Sequence, residues 1–235
     1  MDMSAAPKRF YRDAAPAPLG ENWQVELNGR ALRTPARAVL ELPSRRLAEA
    51  VAQEWREQGE ALEIPRMHLT RLANVAVDRT PLSRREMADE LTKYCETDLL
   101  CHLAEAPVEL RARQEAAWRT IRDWAGPALG IMLMPVQGIM AAPQPAASLD
   151  AARDHAMSRD DYKLTGLAFG CALFGSALLA LAVEQGEIAA TDALARSQVD
   201  ETFQAEQWGR DSEAEAALQA RREQAEALGN WFSAL

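Results

Sequence analysis

Cysteine and histidine are scarce: the 235 residues hold three of each. An odd, small cysteine count makes a poor disulfide framework and suits a reducing compartment. Three histidines are a thin supply for acid–base chemistry. The motifs of common catalysts are missing as well. There is no glycine-rich phosphate loop, no Gly-x-Ser-x-Gly, no His-Glu-x-x-His and no second cysteine pair. Basic charge is outnumbered, 26 Lys and Arg against 35 Asp and Glu, for a formal net charge of −9. That balance argues against a nucleic-acid partner and for a protein partner with a basic surface. The opening MDMSAAPKRFYRDAAP lacks an apolar run of signal-peptide length. The bacterial cytoplasm is the expected location, or the mitochondrial matrix for a processed organellar chain.

Apolar residues, by contrast, are plentiful at 48%, enough for a sizeable core. The longest apolar run, LTGLAFGCALFGSALLALAV at 164–183, is as long as a bilayer span and carries a small GxxxG pattern at Gly166 and Gly170. Alanine and glycine dilute it, and its flanks are charged. We read it as part of one buried central helix over 160–185, with no integral membrane association.

Strand-like and helix-like periods are segregated. Trp23, Val25 and Leu27 alternate with polar residues, Asn28-Gly29 supplies a two-residue hairpin turn, and AVLEL at 38–42 alternates again. From Ser44 the period becomes helical, with Leu47, Val51 and Trp55 four apart. Further helices are expected over 68–80, from a Ser83–Glu86 capping box to about 104, and from Pro107 with Leu110, Gln114, Ala117, Ile121 and Trp124 on one side. Others are expected over 148–157, 190–208 and 211–228. Residues 126–147 hold much Pro and Gly and read as an irregular insertion, with a hairpin near Gln137-Gly138. Strands first and helices after predict an α+β fold: a small N-terminal antiparallel β domain over 1–62, then a larger multi-helical domain over 63–235.

The stretch YCETDLLCH at 94–102 carries metal-ligand letters. If helical, it sets Cys95, Asp98 and His102 on one face, which leaves open a metal site or a carboxylate-dependent enzyme using Asp98 and His102. The other reading is a core helix, with Asp98 either paired to Arg71, Arg111 or Arg113 or capping a neighbouring segment, because a buried carboxylate needs partners. Near the C-terminus, Asp200, Gln204 and Trp208 recur four apart with Glu201 beside them, and Asp211 and Glu213 open the next helix. This is either a solvated acidic face with Trp208 in the core, or an acidic, aromatic-bearing surface that docks a partner.

Taken in order, KRFYRDA, LNGRALRTPA, RLAEAVAQEW, MHLTRLAN, Y-x-x-TDLLCH, ALLALAV and the DE-x-FQ-x-x-QWG segment resemble one family, the assembly chaperones of the ATP synthase catalytic head. The resemblance runs from Lys8 to about Glu215. It implies a small β-rich region before a helical one, no catalysis, no cofactor and no metal. It implies a client, the unassembled ATP synthase α subunit, and a chaperone that suits a monomer. It makes Asp200, Glu201, Gln204, Trp208, Asp211 and Glu213 the expected partner-binding residues. Tyr94, Thr97 and Asp98 become fold-holding residues, and Trp55 is expected in the core. A scaffold for some other partner is the alternative.

Overall fold

The structure, a computed structural model, describes residues 7–209 and 212–235. The described residues divide into two compact units, one of those up to Leu82 together with Asn230–Leu235, the other of those between Ser83 and Gly229. Antiparallel strands come first and most helices follow, the α+β order that the sequence predicts.

In the first unit, β1 (Ala14–Leu19), β2 (Asn22–Leu27) and β3 (Arg30–Ala31) form an antiparallel sheet in the order β1-β2-β3. The β2–β3 turn is the Asn28-Gly29 pair, both at positive φ (51° and 74°), as a primed hairpin turn requires. β1 tolerates Pro16 and Pro18 because it is an edge strand and need not donate on its outer side. Residues 38–42 contribute bridges, with Trp23 and Leu42 exchanging backbone hydrogen bonds of 2.9 and 2.8 Å.

Helix α1 (Arg45–Arg56) lies on this sheet and buries Leu47, Val51 and Trp55. Ser44 Oγ caps it by accepting from Leu47 N at 3.0 Å and donates to the carbonyl of Ala234. Trp55 is buried against Tyr11, ring centroids 5.5 Å apart, and the Tyr11 hydroxyl donates to the Trp55 carbonyl at 2.6 Å. Helix α2 (His68–Asp78) has no cap of its own. Glu54 of α1 supplies one, accepting from the backbone N–H groups of Leu69 and Thr70 at 2.7 and 2.8 Å.

Helix α3 (Thr80–Glu96) begins a turn before the expected capping box, and Ser83 is a kink inside it rather than its start. In the second unit the helices are α4 (Val108–Leu129), α5 (Ala146–Ser158), α6 (Asp161–Phe174), α7 (Ala177–Glu184), α8 (Ala190–Ser197) and α9 (Val199–Trp208), and α10 (Ser212–Ala234) belongs to it as far as Gly229. α4 outlasts its prediction by a turn, through Pro127 to a left-handed Gly130 cap, and its buried stripe is Leu110, Gln114, Trp118, Ile121 and Ala125. Ala117 and Trp124 are only half-buried.

The single 160–185 helix is corrected to two. Gly175 takes φ +66° and ends α6, and Ser176 caps α7 by accepting from Leu179 N at 3.1 Å. Nor is 190–208 continuous: Gln198 has non-helical angles between α8 and α9. Small residues let α6 and α7 close in, since a Cβ on Gly170 would lie 3.0 Å from Ala180 Cβ. Among the described residues no helix is long and apolar enough to cross a membrane.

No hairpin forms near Gln137-Gly138. Instead β5 (Val136–Gln137) pairs in parallel with β4 (His102–Leu103), and Gly138 N donates to the Leu103 carbonyl at 2.8 Å.

Candidate partner-binding surface

The cysteine-bearing stretch is not one helix. α3 stops at Glu96, Thr97 is exposed in a turn, and Leu99–Cys101 make a 3-10 turn before β4. Asp98, wholly buried, is the cause of the break. Its Oδ1 accepts from Leu100 N at 3.0 Å and from the Ser176 hydroxyl at 2.7 Å, and its Oδ2 accepts from Leu178 N at 3.0 Å. One carboxylate thus caps both the 3-10 turn and the start of α7, where the helix dipole favours negative charge. Burial pushes the Asp98 carboxyl above its ordinary value, against the pull of those hydrogen bonds.

The arginines expected to pair with Asp98 bond elsewhere. Arg71 donates to the Pro65 carbonyl, Arg111 to the Ala104 and Glu105 carbonyls, and Arg113 to Glu206. Cys95, Cys101 and Cys171 are buried thiols. Burial pushes Cys95 well up and Cys101 to about 12, so neither supplies a thiolate near neutrality. His102, half-buried in β4, is off the Cys95 helix. No group of three His, Cys, Asp or Glu among the described residues is placed to hold a metal. Tyr94, in the last turn of α3, is half-buried.

Helix α9 is a different kind of element. It buries no residue fully, carries Asp200 and Glu201 in its first turn, and ends at Gly209 with φ +82°. It packs on α4 through a hydrogen bond, an ion pair and a cation–π contact. Gln114, 1% exposed, accepts from Ala104 N at 2.7 Å and donates from Nε2 to Asp200 Oδ1 at 2.8 Å. Arg113 pairs with Glu206 at 2.6 Å and stacks over the Phe203 ring at 5.1 Å. Trp118 Nε1 donates to the Arg196 carbonyl, at the end of α8, at 2.8 Å.

These contacts leave Trp208 81% exposed, which removes the reading that places it in the core. Glu201, Gln204 and Trp208 line a groove of about 340 Å³, with Ala214, Leu218 and Arg221 of α10 among its other walls. Asp200 is half-buried and lines a separate depression with Gln114 and Ile139. Glu213 is exposed in the first turn of α10, and Asp211 lies outside the described residues. The five described residues are therefore not one patch: three share a groove, Asp200 lines another, and Glu213 lines neither.

Residues 8–126, just over half of the chain, match the model of the ATP12 chaperone protein family. The chain belongs to that family. Atp12 from Paracoccus denitrificans shares 37% identity with it and superposes with a TM-score of 0.89 over 96% of this chain and 97% of the other. A lysine-for-aspartate variant of the same bacterial protein matches at 36% identity, with the same TM-score and coverage. The mitochondrial protein atp12 of Schizosaccharomyces pombe is 22% identical over 86% of this chain and 74% of its own length. The matching family model carries a chaperone name, not an enzyme name.

Two features of this ATP12-family chain escape a reading of the letters. One is Gln114, a buried amide linking the β4 exit to α9, whose only sequence signal is a polar residue in an apolar stripe. The other is a set of exposed large apolar residues in 131–140, which the Pro and Gly around them hide as a plain loop.

Proposed function

We propose that this chain is an assembly chaperone of the proton-transporting ATP synthase that binds the unassembled α subunit. It covers the apolar, edge-bearing surface that α offers to its neighbours in the ring, and β displaces it during assembly of the catalytic head. Such surfaces aggregate when left bare. It works as a monomer in the compartment where the head is built, the bacterial cytoplasm or the mitochondrial matrix.

The observation that carries this reading, within the ATP12 family, is α9: a helix held by polar contacts, bearing a tryptophan 81% exposed beside Glu201 and Gln204. An aromatic anchor with a polar rim is what an exchangeable interface uses. We assign client contact to Asp200, Glu201, Gln204 and Trp208, and further contacts to Asp211 and Glu213. The net charge of −9 favours encounter with a basic client patch and makes binding salt-sensitive.

The test is light scattering of isolated ATP synthase α subunit diluted from denaturant, with and without equimolar chain. Scattering falls for α and not for an unrelated client, and high salt weakens the effect. Trp208→Ala, folded as wild type, loses most of the suppression. No suppression by the wild-type chain at either salt ends this proposal.

A further inference from the structure

The segment after α4 alternates like a strand that is buried on one side only. Ile131 and Leu133 are buried, while Met132 and Met134 are exposed. Farther on, Ile139 and Met140 are 94% and 81% exposed. This backbone is clamped rather than loose. Ser148 Oγ accepts from Met132 N at 2.9 Å and donates to its carbonyl at 3.0 Å. Gln144 accepts from Met134 N at 2.7 Å and donates to its carbonyl at 3.2 Å. Val136 and Gln137 are fixed by β4. Polar side chains would serve a mere connection equally well, so four large apolar residues on the outer side of a fixed segment call for a partner. Methionine, unbranched and polarisable, suits a surface that must fit more than one client conformation.

What lies beside the segment identifies the partner's chemistry. Ile139 and Gly138 border a depression of about 690 Å³ whose other walls include Leu103, Glu105 and Asp200. Its lining holds two carboxylates and no Lys or Arg. The nearby Arg111 guanidinium is engaged by the Ala104 and Glu105 carbonyls and by Gln137 Oε1. An apolar platform next to an acidic recess complements large apolar side chains followed by a cation.

We infer that residues 131–140 and this recess form a second client surface, which takes a segment of the α subunit carrying large apolar side chains next to a Lys or Arg. The inference rests on the α-subunit reading above. It adds a contact independent of the Trp208 groove, so the client is held at two places and released in steps.

The experiment measures binding of isolated ATP synthase α subunit to the full chain by biolayer interferometry over a salt series. The variants are a fourfold Met132→Ser, Met134→Ser, Ile139→Ser, Met140→Ser chain and Glu105→Gln. The fourfold variant, with wild-type circular dichroism and Tm, binds α at least about tenfold more weakly, and Glu105→Gln flattens the salt dependence. Should the fourfold variant not fold, Ile139→Asp at the most exposed position carries the same test. Wild-type affinity in these variants, with Trp208→Ala impaired, overturns this inference alone. Failure of the wild-type chain to bind α overturns both readings. A wild-type dimer that the fourfold variant dissociates, with α binding intact, also overturns it and gives the segment to self-association.

Discussion

Asp98 and Asp200 each accept a hydrogen bond from a side chain distant in sequence, at 2.7 and 2.8 Å, yet they serve opposite surroundings. Asp98 is wholly buried, and both its oxygens are engaged by protein donors. Asp200 is half-buried, accepts through Oδ1 from Gln114, and lines an open recess. The first carboxylate joins a turn to a helix and has nothing left to offer a partner. The second ties α9 to α4 and keeps acceptor capacity in reserve. A buried acid in a helical domain is thus a fastening first, and only the partly satisfied one is equipped for contact.

The contrast breaks most visibly at Asp98. Asp98→Ala strands two buried backbone N–H groups and the Ser176 hydroxyl, and costs about 3–5 kcal/mol of stability. Urea unfolding measures the loss. Asp98→Asn, which keeps one acceptor but turns an NH₂ toward a donor, recovers part of it.

Asp200→Ala is milder, about 1–2 kcal/mol, because it strands a single donor, the amide of buried Gln114, where Asp98→Ala strands three. Its signature is local: hydrogen exchange speeds up in α9 while the α6–α7 core stays protected. Equal protection loss in both regions would erase the distinction. A charge-reversing Asp200→Lys therefore disturbs the fastening as well as the surface, and only comparison with Asp200→Asn separates the two effects.

The smallest effect is a change of slope with pH at Glu184, the last residue of α7. Burial raises its carboxyl, but hydrogen bonds from His155 and Gln185 and the charge of Arg159 outweigh that, leaving it below the ordinary 4.5. The folded state therefore holds this proton less tightly than the unfolded chain. Its stabilisation is full above about pH 4.5 and fades as pH falls through the lowered value. Glu184→Gln flattens the acid limb of a Tm-against-pH curve, and an unchanged limb would show that other carboxylates govern it.

Local chemistry was readable and distant chemistry was not. Asn28-Gly29 announced its turn because two adjacent residues determine it, and Ser44 announced α1 for the same reason. The break at Gly175 was hidden because apolar letters run through it, so periodicity alone could not separate two helices from one. The end of α3 was hidden because Ser176, a partner of the Asp98 that breaks the helix, sits 78 residues away. The β4–β5 pair was hidden because two-residue strands carry no period. In α9, i, i+4 spacing found the helix face but not its side. Whether Trp208 points inward depends on what α4 leaves uncovered, which no local pattern records.

That exposed indole gives the molecule a built-in optical probe. Of its six tryptophans, Trp55, Trp118 and Trp231 are buried, Trp23 and Trp124 are half-buried, and Trp208 alone stands well out in water. Iodide will quench α9 before it quenches the interior emitters. The red edge of the fluorescence spectrum belongs chiefly to one residue, so any partner that covers α9 will announce itself as a blue shift without a label being attached.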